Sequence, residues 1–241
     1  MEPKDQVLEV WGDLACFSRP ELKVERFSYP VITPSAARGI YDAIFCKPSA
    51  NPEQAEFRWQ ITQVEILSPP RYIALRRNEV EEKISVNNVG RWIRNGEQPV
   101  PLFADADSQR TQRQTMALKN ARYRLHATIV PWPRFRDRLQ GLEAQFRRRA
   151  ARGQCFYQPY MGHREFPAFF ELVEVGVKVS SPIAWSADLG VMLYDVFDQS
   201  HPGTSQSRPF ITLFQAAVKD GVLTVPEYAS EAVLKPEGAA D

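Results

Sequence analysis

The most regular pattern along the chain is strict alternation: Ala121, Tyr123, Leu125, Ala127 and Ile129 are interleaved with Arg122, Arg124, His126, Thr128 and Val130. A period of two sends the first set to one face of a β-strand and the second to the other. One face therefore enters a core, and the opposite face carries two arginines and a histidine. Val7-Leu8-Glu9-Val10-Trp11 reads as a shorter strand closed by Gly12-Asp13, and a second extended piece covers residues 24–29. Helical spacing follows. Thr33 suits an N-cap, Pro34 suits the first helical position, and Ala36, Ile40 and Ile44 recur at i, i+4 and i+8 before Lys47-Pro48 ends the run. Trp59 and Ile61, then Val64 and Ile66, predict a strand that changes phase midway; Pro69-Pro70 breaks it and another runs over 72–75.

After the alternating strand, Pro131 and Pro133 interrupt the chain, and Phe135, Leu139, Leu142, Phe146 and Ala150 step at helical spacing towards a stop at Gly153. Strand-like runs cover 169–175, 189–197 and 210–218, and Asp220-Gly221 predicts a tight turn into 222–225. The tail from Pro226 is acidic and short of large apolar side chains, which predicts a loose end. Strands mixed with helices early and mainly strands late predict an α+β fold. RRM-like modules use such a sheet as a nucleic-acid surface, although their usual run of stacking aromatics is absent.

Composition narrows the class. With 44% apolar and 24% charged residues the chain has the make-up of a folded globular protein. No apolar run reaches the roughly 18 residues of a membrane span, and Met1-Glu2-Pro3-Lys4-Asp5 lacks an export pattern. Cys16, Cys46 and Cys155 have neither disulfide-framework nor zinc spacing. A cytoplasmic protein with no membrane partner, no metal and no other cofactor is the expectation.

Net charge is only +1, but it is unevenly spread: residues 1–90 sum to −2, residues 91–164 to +10 and residues 165–241 to −7. Phosphate binding depends on local cation density, so the middle segment is a candidate polyanion site; a solvated helix face is the plainer alternative. All but one of its cations are arginine, whose planar fork suits phosphate and stacks on bases.

The runs Glu9-Val10-Trp11-Gly12-Asp13, Phe17-Ser18-Arg19-Pro20-Glu21-Leu22-Lys23-Val24-Glu25-Arg26, Pro34-Ser35-Ala36-Ala37-Arg38-Gly39-Ile40, Arg76-Arg77-Asn78-Glu79-Val80 and Gly162-His163-Arg164-Glu165-Phe166-Pro167 together resemble the type I-C (Dvulg) Cas-five family of CRISPR-associated RAMP proteins. The resemblance implies a ferredoxin-like (RRM-like, RAMP) domain over 1–131. A smaller region over 132–241 would then hold the arginine-rich helix, further strands and the loose acidic tail. It also implies a subunit that holds the 5′ handle of guide RNA beside the other subunits of a type I-C interference complex. Target DNA near the protospacer-adjacent motif is a further partner to consider. In such systems the same subunit cuts precursor CRISPR RNA without a metal, using the RNA 2′-hydroxyl as nucleophile.

The family is similar in using a tyrosine just after the first helix and a later Lys-His pair. Here Phe45 stands at the tyrosine position, with Tyr41 one turn earlier on the same helix face, and Lys119-Asn120 stands at the pair. Lys119, His126 and Tyr41 are therefore the candidate catalytic residues. His126 is either an acid–base group or a histidine hydrogen-bonded on a sheet surface. Candidate RNA-binding residues are Arg38, Arg110, Arg113, Arg122, Arg124, Arg147, Arg148, Arg149, His163 and Arg164. Within this set, His163 is read as an RNA contact or a loop residue in preference to a catalytic group, since no second titrating group is assignable to it, with Arg164 and Glu165 available to pair and pin that loop. Phe156, Tyr157 and Tyr160 either stack bases or pack a core. Three readings compete: a processing ribonuclease that keeps its product, a non-catalytic guide-RNA scaffold, and an unrelated α+β enzyme acting on a small anion.

Overall fold

The computed structural model describes residues 2–22, 24–47, 55–80, 84–99, 110–174, 176, 179–201 and 210–236. The first strand, β1, spans Gln6–Ala15 and does not stop at Gly12-Asp13. Gly12 is a point of close approach instead: a Cβ there would lie 2.9 Å from the Pro167 carbonyl oxygen. A two-residue strand β2 (Arg26–Phe27) leads to helix α1 (Pro34–Ile44), which begins as expected, with the Thr33 hydroxyl accepting from the Ala36 amide. Strand β3 (Phe57–Ile66) carries a register shift between Ile61 and Gln63, the physical form of the phase change in its sequence.

Strand β4 (Tyr72–Val80) is longer than its apolar pattern, and helix α2 (Val86–Asn95), which has no buried residue, has no core stripe to announce it. The alternating strand, β5, extends over Arg110–Pro131 and is the axis of the fold. It pairs with β1 and β2 on one side and with β3 and β4 on the other. A 3-10 segment (Pro133–Arg138) separates it from α3 (Leu139–Ala151), so the expected helix begins at Leu139 and not at Phe135. β6 is Phe169–Leu172, β7 Ala187–Asp195, β8 Thr212–Lys219, β9 Val222–Thr224 and β10 Val233–Leu234. Asp220 and Gly221 both take positive φ, as the tight β8–β9 turn requires.

The order β6-β1-β5-β3 with helices α1 and α3 after β1 and β5 is the ferredoxin-like arrangement. Helix α3 and strand β6 lie beyond the boundary expected at residue 131, yet they complete this unit. β9 then pairs with β3 and brings β8, β10 and β7 onto the same sheet. The tail is tied down as far as Leu234: Tyr228 and Val233 are buried and β10 pairs with β8, so the expected loose end is corrected for those residues. Residues 237–241 lie outside the described residues.

Helices α1 and α3 cover one sheet face. Trp59 of β3 packs 4.8 Å from the Tyr41 ring of α1 and 4.7 Å from the Phe146 ring of α3. Burying each such aromatic contributes roughly 2–3 kcal/mol, enough to fix which face of the sheet is covered. Glu9, Trp11, Arg122, Arg124, His126, Phe169 and Glu171 therefore stand on the other face.

Candidate nucleic-acid interface

That second face is organised in rows across the strands. Phe169, Trp11 and Arg122 face one another in register; Glu171, Glu9, Arg124 and Glu65 form the next row; and Val7, His126 and Gln63 the third. The expected cationic face is largely neutralised by carboxylates from β1 and β3. Arg124 is 3% exposed, pairs with Glu65 and Glu9, and donates to the Ser180 carbonyl at 2.9 Å. It is a structural ion-pair partner and does not meet solvent, which corrects its expected place on the RNA surface. Arg122 donates through Nε to Glu9 at 2.7 Å but keeps its side chain 53% exposed.

His126 sits between two carboxylates, with Nδ1 2.6 Å from Asp5 and Nε2 3.1 Å from Glu65. Burial pulls its pKa down, but the hydrogen bond and charge of Asp5, followed by Glu65, outweigh that and leave it raised. Both ring nitrogens are thus best satisfied in the imidazolium form.

The other arginines divide by partner. Arg38 is not offered to RNA: its guanidinium makes two hydrogen bonds to Asp195, at 2.6 and 3.0 Å, and also pairs with Asp42, tying α1 to β7. Arg149 donates to the Ile44 carbonyl at 2.7 Å, satisfying the end of α1, and lies 4.1 Å above the half-exposed Phe156 ring. Arg147 pairs with Glu174 at 2.7 Å and Arg113 with Glu25 at 3.7 Å. Arg148 and Arg164 are exposed and have no ion-pair partner among the described residues. Arg110 begins β5, but its side chain lies outside the described residues. No cluster of three or more His, Cys, Asp or Glu suited to a metal occurs among the described residues.

Comparison with known proteins now bears on this surface. A family model described as CRISPR-associated protein (Cas_Cas5) matches residues 7–226. The chain belongs to this Cas5 family. It is 39% identical over 232 residues to a Mannheimia succiniciproducens protein named CRISPR pre-crRNA endoribonuclease Cas5d, covering 94% of this chain and 96% of that one. It is 37% identical over 236 residues to a Thermus thermophilus protein of the same name, covering 91% and 90%. A crystal structure of a CRISPR-associated protein superimposes with a TM-score of 0.60 at 19% identity, covering 97% of this chain and 98% of that one, which bears on the fold alone.

Within the Cas5 frame the three residues expected to be catalytic do not gather. Tyr41 is fully buried, and its hydroxyl is shared between the carbonyls of Gln6 and Leu125, each 2.8 Å away. Burial drives its pKa well above that of a free phenol. It does not stand in for a hydroxyl at Phe45, which is itself buried and stacked 5.3 Å from Phe57. Lys119 is exposed beside Asn120, whose φ of 53° lies in the left-handed region. Lys119 and His126 are seven residues apart on that one strand, a span of roughly 20 Å.

The loop carrying His163 is the best-built polar feature near the end of β1. Gly162 takes φ of 87°, and a Cβ there would meet the Cys16 carbonyl oxygen at 2.0 Å, so the loop lies directly against β1. His163 Nε2 is 2.9 Å from the Ser18 hydroxyl. Burial, then Arg26, hold its pKa below the usual histidine value, so it is neutral at pH 7. Glu165 does not pair with its neighbour Arg164; it takes Arg26 at 2.5 Å and Arg77 at 3.3 Å, which leaves Arg164 open. Two features escaped the sequence reading: the carboxylates that claim Arg38 and Arg124, and the stacking of Trp11 on Phe169. Both depend on residues far apart in the chain.

Proposed function

We propose that this protein binds CRISPR repeat RNA, cleaves the precursor guide RNA without a metal, and stays on the 5′ handle within a type I-C interference complex in the cytoplasm. The observation that carries the reading is the pair of pre-crRNA endoribonucleases at 39% and 37% identity, each matched over more than nine tenths of this chain. The exposed arginines Arg148 and Arg164, together with Arg122, which stays half-exposed while paired to Glu9, support it as backbone contacts. Target DNA near the protospacer-adjacent motif is a further partner of the assembled complex in this reading.

In the reaction the RNA 2′-oxygen attacks the adjacent phosphorus, the bond to the 5′-oxygen breaks, and a 2′,3′-cyclic phosphate and a 5′-hydroxyl result. One group must take the 2′ proton and another must supply a proton to the leaving oxygen. Lys119 offers an exposed ammonium for the phosphate, and His126 an acid held charged by its carboxylates. His163 offers a neutral imidazole for the base. The roughly 20 Å between Lys119 and His126 means that at most one of the two serves a given phosphate.

A second reading, a scaffold that holds guide RNA without cutting it, is favoured by one specific observation: Phe45 lacks a hydroxyl and the Tyr41 hydroxyl is occupied inside the core. Incubating the purified protein with its cognate repeat hairpin in EDTA separates the two. Cleavage to a cyclic phosphate, abolished in Lys119→Ala, His126→Ala or His163→Ala with binding intact, supports the nuclease. RNA that is bound tightly and stays whole supports the scaffold.

A further inference from the structure

The aromatic residues that RRM-like sheets use are missing as a sequence motif but present as a surface. Trp11 lies on β1 and Phe169 on β6, and the register sets them directly opposite each other. Their rings stack with centroids 6.2 Å apart and planes 26° from parallel. On the far side of the indole, the Arg122 guanidinium carbon lies 5.4 Å from the ring centroid, again directly opposite in register. Guanidinium, indole and phenyl thus form a stack across three adjacent strands, on the face that α1 and α3 leave uncovered.

The stack is unfinished at one end. Among the described residues β6 is the last strand on its side of the sheet, with none beyond Phe169, which is 51% exposed. A half-exposed phenyl ring that continues a cation–aromatic stack, with no neighbouring strand on its outer side among the described residues, offers a site for one more planar group. At the other end, Glu9 holds one edge of Arg122, while the side chain remains 53% exposed and adds positive charge beside the rings. Flat apolar planes next to an arginine match the two chemistries of a single-stranded nucleotide, a base face and a phosphate.

We infer that Trp11, Phe169 and Arg122 form a stacking platform for an unpaired RNA base, with Phe169 as the plane the base lies on. This deepens the reading above and rests on it. The platform accounts for sequence-tolerant contact, since every base presents a π-face, and it leaves cutting to other residues.

The test uses the full chain and its cognate repeat RNA, with affinity measured by anisotropy and tryptophan emission recorded in the same titration. Phe169→Leu keeps apolar volume at an exposed position and removes the ring; it is expected to weaken binding roughly 5- to 150-fold, the range for removing one stacked base. Trp11→Ala is expected to do the same. Trp11→Phe should recover most of the affinity that Trp11→Ala forfeits while abolishing the part of the tryptophan quench that RNA causes in the wild type. Should Trp11→Ala fail to fold by circular dichroism, Phe169→Leu and the Trp11→Phe quench carry the test. Unchanged affinity in Phe169→Leu, or an unchanged quench in Trp11→Phe, overturns the platform while wild-type binding keeps the RNA reading intact. Variants that bind RNA normally but no longer co-purify with complex subunits overturn it in favour of a protein contact. A wild-type chain that binds no repeat RNA sinks the reading beneath it.

Discussion

Tyr41 reaches across the core to Leu125: its hydroxyl lies 2.8 Å from that residue's carbonyl and equally close to that of Gln6, so α1 is fastened to the paired strands β1 and β5 from below. A hydroxyl in this position serves stability. Tyr41→Phe is expected to cost about 1–3 kcal/mol, because it removes the donor and leaves a buried carbonyl less well satisfied. Denaturant unfolding checks the loss. Single-turnover cleavage of repeat RNA should proceed at the wild-type rate, and a fall of more than about tenfold in a folded variant would return the phenol to the chemistry.

His126 makes stability depend on pH. Its folded pKa is raised by Asp5 and Glu65 against the pull of burial, relative to an unfolded value of about 6.5. The folded state therefore binds the proton more tightly than the unfolded state. Its contribution is complete below about pH 6.5 and is lost as pH rises through the folded pKa. Thermal unfolding of wild type and His126→Gln across that range should show the wild-type advantage shrinking as pH rises. A constant difference between the two would mean that the histidine is held neutral.

Much of the fold was legible because its signals are local. The Thr33-Pro34 start of α1, the phase change in β3 and the alternation of β5 each result from residues within a few positions of one another. Helix α2 was not legible, since it buries nothing and so carries no core stripe. The candidate site was read less well for a related reason. Arg38 and Arg124 look like surface cations until Asp195, 157 residues away, and Glu65, 59 residues away, are folded against them. Ion pairing between distant elements leaves no periodic trace, and neither does the stack of Trp11 on Phe169.

Arginines with and without internal partners should respond differently to removal. Arg148→Ala and Arg164→Ala should weaken repeat-RNA binding and make it less steep in salt, by about 0.7 in the log–log slope for each single-strand phosphate that is no longer neutralised. Stability should be nearly unchanged. Arg38→Ala should instead destabilise the fold by about 3–5 kcal/mol, because Asp195 is left buried without its partner. Salt titrations of binding and urea unfolding on the same three variants read both quantities. An Arg38 variant that folds normally and binds RNA weakly would reverse its assignment.

Gly162 offers the sharpest test of the loop that presents His163 and Arg164. Its φ of 87° is strained for any other residue, and an added Cβ would sit 2.0 Å from the Cys16 carbonyl oxygen, backbone that cannot turn aside as a side chain does. Gly162→Ala must therefore push the loop off β1, opening the hydrogen bond from the Cys16 amide to Met161 at 3.0 Å and that between Ser18 and His163. Backbone strain alone costs about 1–3 kcal/mol, and the broken hydrogen bonds add to it. Faster amide exchange at Cys16, together with a rise of the His163 pKa towards about 6.5 followed by NMR, is the expected signature. An unchanged His163 titration in this variant would show that the imidazole is held by something other than its packing against β1.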